Sequence, residues 1–249
     1  MNKTISDEMK KTIRLLAYVS MLSGLFLVAC NKDDSSYNPT PSPDPTPNPS
    51  SENWIDLGLP SGLLWAECNI GATTPEGYGD YFAWGETSTK ETYEWNNYKY
   101  SNGMYYELTK YCNKSSYGYN GYTDDLTILQ PADDVATQEL GNGARIPTKE
   151  EWEELRDNTS SKWTTQNGVK GYLFTASNGQ HLFLPAAGYR PYERLDYEGA
   201  NGFYWSASLN ENSPDEAWYI VLGSSSHNMS NSGYRQNGVT VRAVRASRK

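Results

Sequence analysis

The sequence predicts an α+β fold, with short antiparallel strands and two short helices in a single domain over residues 54–249. Two helix patterns lie in the middle of the chain, and runs in which apolar and polar residues alternate follow them. The 249 residues also include 20 Tyr and 8 Trp. We therefore expect a loop-rich, aromatic-rich domain in which buried ring O–H and N–H groups find hydrogen-bond partners.

Residues 1–29 have the layout of a lipoprotein signal peptide. Lys10, Lys11 and Arg14 precede a largely apolar run that ends in Leu27-Val28-Ala29-Cys30, which resembles a bacterial lipobox. The run contains Ser and Gly and is shorter than the roughly 20 apolar residues of a membrane-spanning helix. We therefore expect cleavage before Cys30 and attachment to the membrane through lipid on that cysteine.

Residues 30–53 are predicted to be an extended spacer. Prolines occupy every second position from 39 to 49, which favours a polyproline-like conformation of about 3 Å per residue. The residues after Cys30, Asn-Lys-Asp-Asp, are similar to the acidic surface-export signal of Bacteroidetes lipoproteins. The alternative is that these four residues are simply the solvated beginning of an ordinary linker. The expected location is the outer membrane, with the domain facing the cell exterior.

Charge excludes one class of partner. Residues 1–29 carry four basic and two acidic side chains, so the net charge of −9 for the whole chain becomes about −11 after cleavage. Such a surface repels phosphate backbones, and no basic stripe offsets it. Nucleic acid is therefore not an expected partner, and an anionic membrane surface would have to be reached through the lipid alone.

The domain retains two cysteines, Cys68 and Cys112. An envelope compartment permits a disulfide between them, and the chain-entropy model gives such a bridge about 3–4 kcal/mol. Two buried thiols are the alternative, because sequence alone does not show how far apart the cysteines lie.

The first part of the domain is predicted to be short strands followed by a long loop. Residues 54–66 indicate two strands around a Pro-Ser-Gly turn, and residues 78–85 form a further apolar run bounded by glycines. Residues 86–126 are polar, rich in Tyr, Asn and Gly, and without a clear period. We interpret them as a long ordered insertion, a length of loop that is often functional.

Two helices are predicted next. Asp133 and Asp134 precede a first helix over residues 135–140, which Gly141 ends. Thr148 and Glu151 have the spacing of a capping box at the start of the second. Trp152 and Leu155 share its apolar face, while residues 150, 153 and 154, all Glu, are expected to face water.

Strand patterns then continue to the end of the chain. Residues 172–175 and 181–184 flank Ser-Asn-Gly and indicate a hairpin. Further strands are predicted at 203–209, 217–222 and 239–244, the last half-buried. His181 falls in a strand and His227 in a polar loop, and neither has a second ligand at zinc spacing.

The motifs of the domain resemble a known family. The chain is similar to the Fibrobacter succinogenes major paralogous domain, which is common among Bacteroidetes lipoproteins. The matching motifs stand at 55–62 (IDLGLPSG), 64–66 (LWA), 79–86 (GDYFAWGE), 108–112 (LTKYC), 133–134 (DD), 145–148 (RIPT), 184–189 (LPAAGY), 204–208 (YWSAS) and 241–245 (VRAVR).

This resemblance implies a C-type-lectin-like fold, distantly related to the formylglycine-generating enzyme. That enzyme oxidises its substrate with a cysteine pair late in the domain, whereas no cysteine follows Cys112 here. Sugar-binding lectin domains use a Glu-Pro-Asn or Gln-Pro-Asp triplet, where this chain has Gln130-Pro131-Ala132. The resemblance therefore implies the fold without the enzyme's chemistry. No cofactor or metal is expected; the pairs Asp124-Asp125 and Asp133-Asp134 offer oxygen donors that calcium accepts, but Asp133 and Asp134 are better interpreted as helix N-terminal caps.

The insertion supplies the candidate ligand-binding residues. Tyr rings among Asn, Ser and Gly are typical of binding loops. The alternative is that these rings pack onto the domain and order the loop. The candidates are Trp95, Tyr98, Tyr105, Tyr117, Tyr119 and Tyr122.

Three hypotheses for function follow from these patterns. The first is a non-catalytic module that binds a glycan or a protein at the cell surface. The second is a structural surface component without a small ligand. The third and weakest is an envelope hydrolase or oxidase.

The lipid anchor has a direct test. In the Cys30→Ser variant, signal cleavage and acylation are expected to fail together, because the acylated thiol is absent. Labelled palmitate should enter the wild-type chain and not the variant. Equal labelling of both chains would contradict the assignment.

Overall fold

The computed structural model describes residues 53–247, apart from the side chains of residues 226–230. The predicted signal peptide, the predicted acylation site Cys30 and all of the predicted spacer before residue 53 lie outside the described residues. Small antiparallel sheets make up most of the domain, and the few helices are short. The predicted α+β class is confirmed at that level.

Nine strands and two α-helices are present within residues 53–247. The strands are β1 (Trp54–Asp56), β2 (Leu63–Ala66), β3 (Thr159–Gln166), β4 (Val169–Ala176), β5 (His181–Pro185), β6 (Asn201–Leu209), β7 (Glu216–Gly223), β8 (Ser226–Tyr234) and β9 (Val244–Ala246). The helices are α1 (Val135–Leu140) and α2 (Lys149–Asp157).

The strands form three sheets of three strands each. Sheet 1 has the order β1-β2-β9, sheet 2 the order β3-β4-β5 and sheet 3 the order β6-β7-β8, and every pairing is antiparallel. Sheets 2 and 3 are built from neighbouring hairpins, whereas sheet 1 joins the start of the domain to its end. Pairing of Trp65 with Val244 therefore closes the domain.

Most of the local predictions are confirmed. The hairpins β1–β2 and β4–β5 form around the predicted turns. Helix α1 begins after Asp134, whose carboxylate accepts a hydrogen bond from Thr137 N, and Gly141 follows its last residue. Helix α2 has the predicted capping box between Thr148 and Glu151.

Two strands were not predicted, and one predicted strand is wrong. β3 and β8 are absent from the pattern-based prediction, and His227 lies in strand β8 rather than in a loop. Residues 239–244 form isolated bridges and then β9 instead of one strand. They are also buried on both sides rather than half-buried, because Arg242 points inward and is fully enclosed.

One glutamate of helix α2 was also wrongly predicted to face water. Glu154 is half-buried, and its Oε1 accepts a hydrogen bond from Ser61 N at 2.7 Å. The carboxylate therefore ties the helix to the β1–β2 turn.

Aromatic rings form much of the core. Trp65 on β2 and Trp152 on α2 are fully buried and pack with ring centroids 4.7 Å apart. Trp205 Nε1 donates to Phe82 O at 2.8 Å, as expected for a buried indole. Trp65 Nε1 is the exception, since it has no partner among the described residues. The core is thus held by specific polar contacts as well as by apolar packing.

Arg242 connects sheet 1 to sheet 2. Its guanidinium donates to Asn69 Oδ1 at 2.9 Å, to Phe183 O at 3.1 Å and to the carbonyls of Ala66 and Glu67. A fully buried cation without a carboxylate partner needs hydrogen-bond acceptors to offset the loss of water. Four neutral oxygens supply them here.

The cap of α2 can be tested by substitution. Thr148→Ala removes the acceptor for Glu151 N and should lower the free energy of unfolding by about 1 kcal/mol. Urea denaturation of the purified chain measures the change. Thr89→Ala, at an exposed loop position, is the matched control and should leave the midpoint in place. Equal midpoints for Thr148→Ala and wild type would contradict a stabilising cap.

Candidate functional site

The candidate site is the insertion over residues 86–126. Within these residues the structure has two short 3-10 turns, Trp95–Asn97 and Tyr119–Gly121, together with isolated bridges, and no strand or α-helix. The prediction of a long ordered loop is confirmed. Two buried charged side chains, Asp133 and Arg235, order the insertion.

Asp133 is the first anchor, and it is 4% exposed. Its Oδ2 accepts from Lys110 Nζ and from Tyr111 Oη, both at 2.6 Å. Its Oδ1 accepts from Lys99 Nζ at 3.2 Å and from the hydroxyl of Tyr100. The carboxylate that precedes α1 therefore holds four side chains of the insertion.

These hydrogen bonds determine the charge state of the anchor. Burial by itself would raise the pKa of Asp133, but the hydrogen bonds from Lys110, Tyr100, Tyr111 and Lys99 outweigh it and hold the pKa well below its usual range. Burial and the bond to Asp133 raise the pKa of both tyrosine hydroxyls. The carboxylate stays ionised and the hydroxyls stay protonated, so the cluster is a closed structural unit.

Arg235, which follows β8, is the second anchor and is fully buried. It donates to Lys110 O at 3.0 Å, to Tyr111 O at 3.0 Å and to Pro214 O at 2.8 Å. Its Nε donates to Tyr98 Oη at 2.9 Å. One side chain therefore joins the insertion to the turn between β6 and β7.

The rings around Arg235 complete its environment. The guanidinium carbon lies 4.9 Å from the ring centroid of Trp84, 5.3 Å from that of Tyr98 and 5.8 Å from that of Tyr111. Cation–π attraction of this kind is strengthened when water is excluded. The same rings that cover the insertion's inner face thus also stabilise the buried charge.

The structure divides the six predicted binding residues into two groups. Tyr98 is only 2% exposed and its hydroxyl donates to Trp84 O at 2.7 Å. Its assignment to a ligand surface is therefore wrong, because the ring packs inward to cover Arg235. Trp95 is half-buried, with its ring edge-on to Tyr98 and to Tyr234.

Of the other four predicted residues, Tyr105, Tyr119 and Tyr122 are exposed and Tyr117 is half-buried. With Tyr106 they form what we term the tyrosine surface. Its members are Tyr105, Tyr106, Tyr117, Tyr119 and Tyr122.

The backbone beneath the tyrosine surface is tightly connected. Leu108 N donates to Tyr117 O at 2.8 Å, and Leu108 O accepts from Tyr119 N at 2.9 Å. Gly118 lies so close to the carbonyl of Tyr122 that a Cβ would not fit there. The exposed rings therefore project from a backbone with little freedom.

Two aspartates, Asp215 and Asp124, lie near hydroxyl groups of the tyrosine surface. The charge of Asp215, and after it burial and Tyr105, raises the pKa of the Tyr117 hydroxyl. Tyr122 Oη donates to Asp124 Oδ2 at 2.9 Å. The surface therefore offers aromatic rings together with hydroxyl groups that can form hydrogen bonds.

Cys68 and Cys112 are free thiols, so of the two alternatives left open by the sequence, a disulfide or two thiols, the structure has the thiols. They lie in different parts of the domain: Cys68 follows β2 near Arg242, whereas Cys112 is buried in the insertion, with its thiol directed at Lys114 O, 3.2 Å away. Burial raises the pKa of both thiols. Neither side chain therefore has the character of a reactive thiolate.

One aspartate of each Asp-Asp pair, 124–125 and 133–134, accepts hydrogen bonds from backbone amides. Asp124 accepts from Tyr111 N at 2.8 Å and from Cys112 N at 3.0 Å. Asp134 accepts from Thr137 N at 3.0 Å and from Ile146 N at 2.8 Å. Among the side chains that the structure describes, no group of three or more His, Cys, Asp or Glu is placed to hold a metal ion.

A groove beside the insertion was not predicted. It has a volume of about 380 Å³ and is lined in part by Ile128, Asn212 and Trp218. The Lys149 ammonium lies 4.3 Å from the Trp218 ring centroid, and Lys114 Nζ donates to Asn212 O at 2.7 Å. The alternation of residues along β7 was the sequence signal that could have identified this groove. Trp218 directly follows Ala217, so the two side chains lie on opposite faces of the strand and the indole is directed away from the core.

Comparison with known proteins adds one family match. The family described as "Domain of unknown function (DUF8237)" matches residues 158–244, from just before β3 to the first residue of β9. No curated protein and no solved structure matches the chain. None of the helices within residues 53–247 has the length and apolar character needed to cross a bilayer.

The Asp133 anchor has a test with a defined pH dependence. Asp133→Asn should lower the free energy of unfolding at pH 7 by about 2–3 kcal/mol, because charge-assisted hydrogen bonds are lost. The native-state pKa is lowered, so the contribution is complete above the ordinary value of 3.8 and is lost as the pH falls through the native-state value. The gap between variant and wild type should therefore be constant from pH 7 to about 5 and shrink below about pH 4.

Urea denaturation at a series of pH values measures this gap. Asp125→Asn, at an exposed position beside the insertion's other aspartate, is the matched control. A gap that widens on acidification would contradict the anchor's proposed charge state.

Proposed function

We propose that this protein is a lipid-anchored, cell-surface binding module that recognises a glycan or protein ligand without catalysis. Its domain is proposed to have the C-type-lectin-like fold implied by its resemblance to the Fibrobacter succinogenes major paralogous domain. The tyrosine surface of the insertion is the proposed ligand contact.

The single observation that supports this proposal is the rigid mounting of exposed rings. Tyr105 and Tyr106 are 47% and 46% exposed and pack edge-on, with centroids 4.9 Å apart. Tyrosine offers a large amphipathic contact area at a low cost in conformational entropy. A backbone held by two buried anchors lowers the ordering cost of binding further.

The character of the buried polar clusters favours binding over catalysis. Asp133 has the arrangement of carboxylate, lysine and tyrosine that active sites often use, but each of its oxygens already accepts two hydrogen bonds from the insertion. An ionised carboxylate with a lowered pKa is also a poor general acid near neutral pH. The cluster is accounted for by its structural role.

The N-terminal sequence supports display at the surface. A lipidated Cys30 would hold the chain at a membrane, and the proline-rich residues that follow would extend at about 3 Å per residue. Such a spacer would hold the domain some tens of ångströms from the bilayer. That distance suits contact with extracellular polymers or proteins.

The ligand surface can be tested by removing two rings. The purified full-length chain is applied to arrays of glycans and extracellular proteins, and saturable binders are titrated. Tyr105→Ala combined with Tyr106→Ala should weaken binding at least tenfold, because two exposed aromatic contacts are lost. Tyr192→Ala is the matched control, since that ring is 53% exposed on a different loop.

The possible results separate the hypotheses. Binding that is lost in the double variant and retained in the control supports the tyrosine surface. Saturable binding with the same affinity in wild type and in both variants places the ligand elsewhere. The absence of any saturable binder would favour the structural-component hypothesis instead.

A further inference from the structure

A second groove lies between sheets 2 and 3, away from the insertion. Its volume is about 530 Å³, within the range of about 300–1,000 Å³ that is typical of small-molecule sites. We term it the Trp163 groove, after the half-buried ring on β3 that forms one wall. Gly199, Ala200 and Gly223 are among the lining residues, so small side chains leave the backbone accessible.

Strand register places a ring and a cation together in this groove. Trp163 pairs with Tyr172, and Thr165 pairs with Lys170. Cross-strand partners share a face of a sheet, as do residues two apart along a strand. The indole of Trp163 and the ammonium of Lys170 are therefore diagonal neighbours on one face of sheet 2.

The polar side chains of the groove are not used by the protein itself. Asn201, Asn231 and Lys170 form no side-chain hydrogen bond or ion pair with any part of the chain that the structure describes. In the groove beside the insertion, which Trp218 lines, Asn210 is by contrast hydrogen-bonded to Glu216 and Ser232, and Lys149 contacts both Glu153 and the Trp218 ring. The Trp163 groove thus keeps its donors and acceptors available for a ligand.

The charge of the lining side chains indicates which class of ligand the groove would bind. Among the lining residues whose side chains the structure describes, Lys170 is the one cation and none is acidic. This is a local exception in a chain with a net charge of −9. A side-chain set of one indole, two amides, two serine hydroxyls and one unpaired ammonium matches a hydroxyl-rich ring that carries an anionic group.

We propose that the Trp163 groove binds an anionic saccharide, with the sugar ring against Trp163 and its carboxylate or sulfate at Lys170. Asn201 and Asn231 would hydrogen-bond the sugar hydroxyls. This site is separate from the tyrosine surface and does not depend on the function proposed for it.

The test uses isothermal titration calorimetry on the purified full-length chain. The probes are trigalacturonate, a sulfated galactose disaccharide and neutral galactotriose. At least one anionic probe should bind and the neutral probe should bind at least fivefold more weakly, since one partly exposed ion pair is lost. Comparing the two anionic probes distinguishes carboxylate from sulfate as the preferred group.

Two matched pairs of variants locate the site. Trp163→Ala should abolish binding while Trp163→Phe retains part of it. Lys170→Gln should weaken anionic binding about fivefold, whereas Lys162→Gln, an exposed position on the same sheet outside the groove, should not. The Tyr105→Ala and Tyr106→Ala double variant should bind normally, which keeps this proposal distinct from the previous one.

Several results would overturn the proposal. These are no binding of either anionic probe, equal affinity for galactotriose, or unchanged affinity in Trp163→Ala or Lys170→Gln. Thermal unfolding of each variant shows whether a loss of binding reflects loss of the fold, and Trp163→Phe and Lys170→Gln decide the case if Trp163→Ala unfolds.

Discussion

The buried guanidinium of Arg235 is the interaction on which the functional region depends. A charge without water is costly unless hydrogen bonds satisfy it, and here carbonyls from residues 110, 111 and 214 do so together with the hydroxyl of Tyr98. These acceptors come from segments far apart in sequence. The cation is satisfied only when all of them are in place, so the insertion, the β6–β7 turn and the end of β8 must order together.

The same device recurs at Arg242, where carbonyls and one amide oxygen from separate segments surround a second enclosed cation. Strands of three or four residues, such as β1, β2 and β9, contribute few ladder hydrogen bonds. Buried arginines with five donors each supply long-range connections that such short strands cannot. The domain therefore compensates for small sheets with polar contacts in its interior.

This construction explains how a loop of some forty residues can carry a binding surface. Rings that face inward, such as Tyr98 and Tyr100, cover the anchors, while rings that face outward, such as Tyr105, remain available. The inner set makes the outer set rigid. The Trp163 groove is different, since its tryptophan and its lysine project from the regular strands β3 and β4.

Local sequence alone determined the elements whose signals lie within a few residues. The sequence predicted the capping box at Thr148, the Asp134 cap and the β4–β5 turn. It also contains a signal for β3 that was missed, because Asn167-Gly168, with φ of 48° and 86°, is a hairpin turn. Tertiary structure decided the rest. Strand β8 is polar and exists by pairing with β7, and only packing separates the buried Tyr98 from the exposed Tyr105. The alternation of apolar and polar residues over 239–244 predicts that Arg242 faces solvent, because the pattern depends only on side-chain polarity. The acceptors that bury Arg242 come from segments that no local sequence pattern connects.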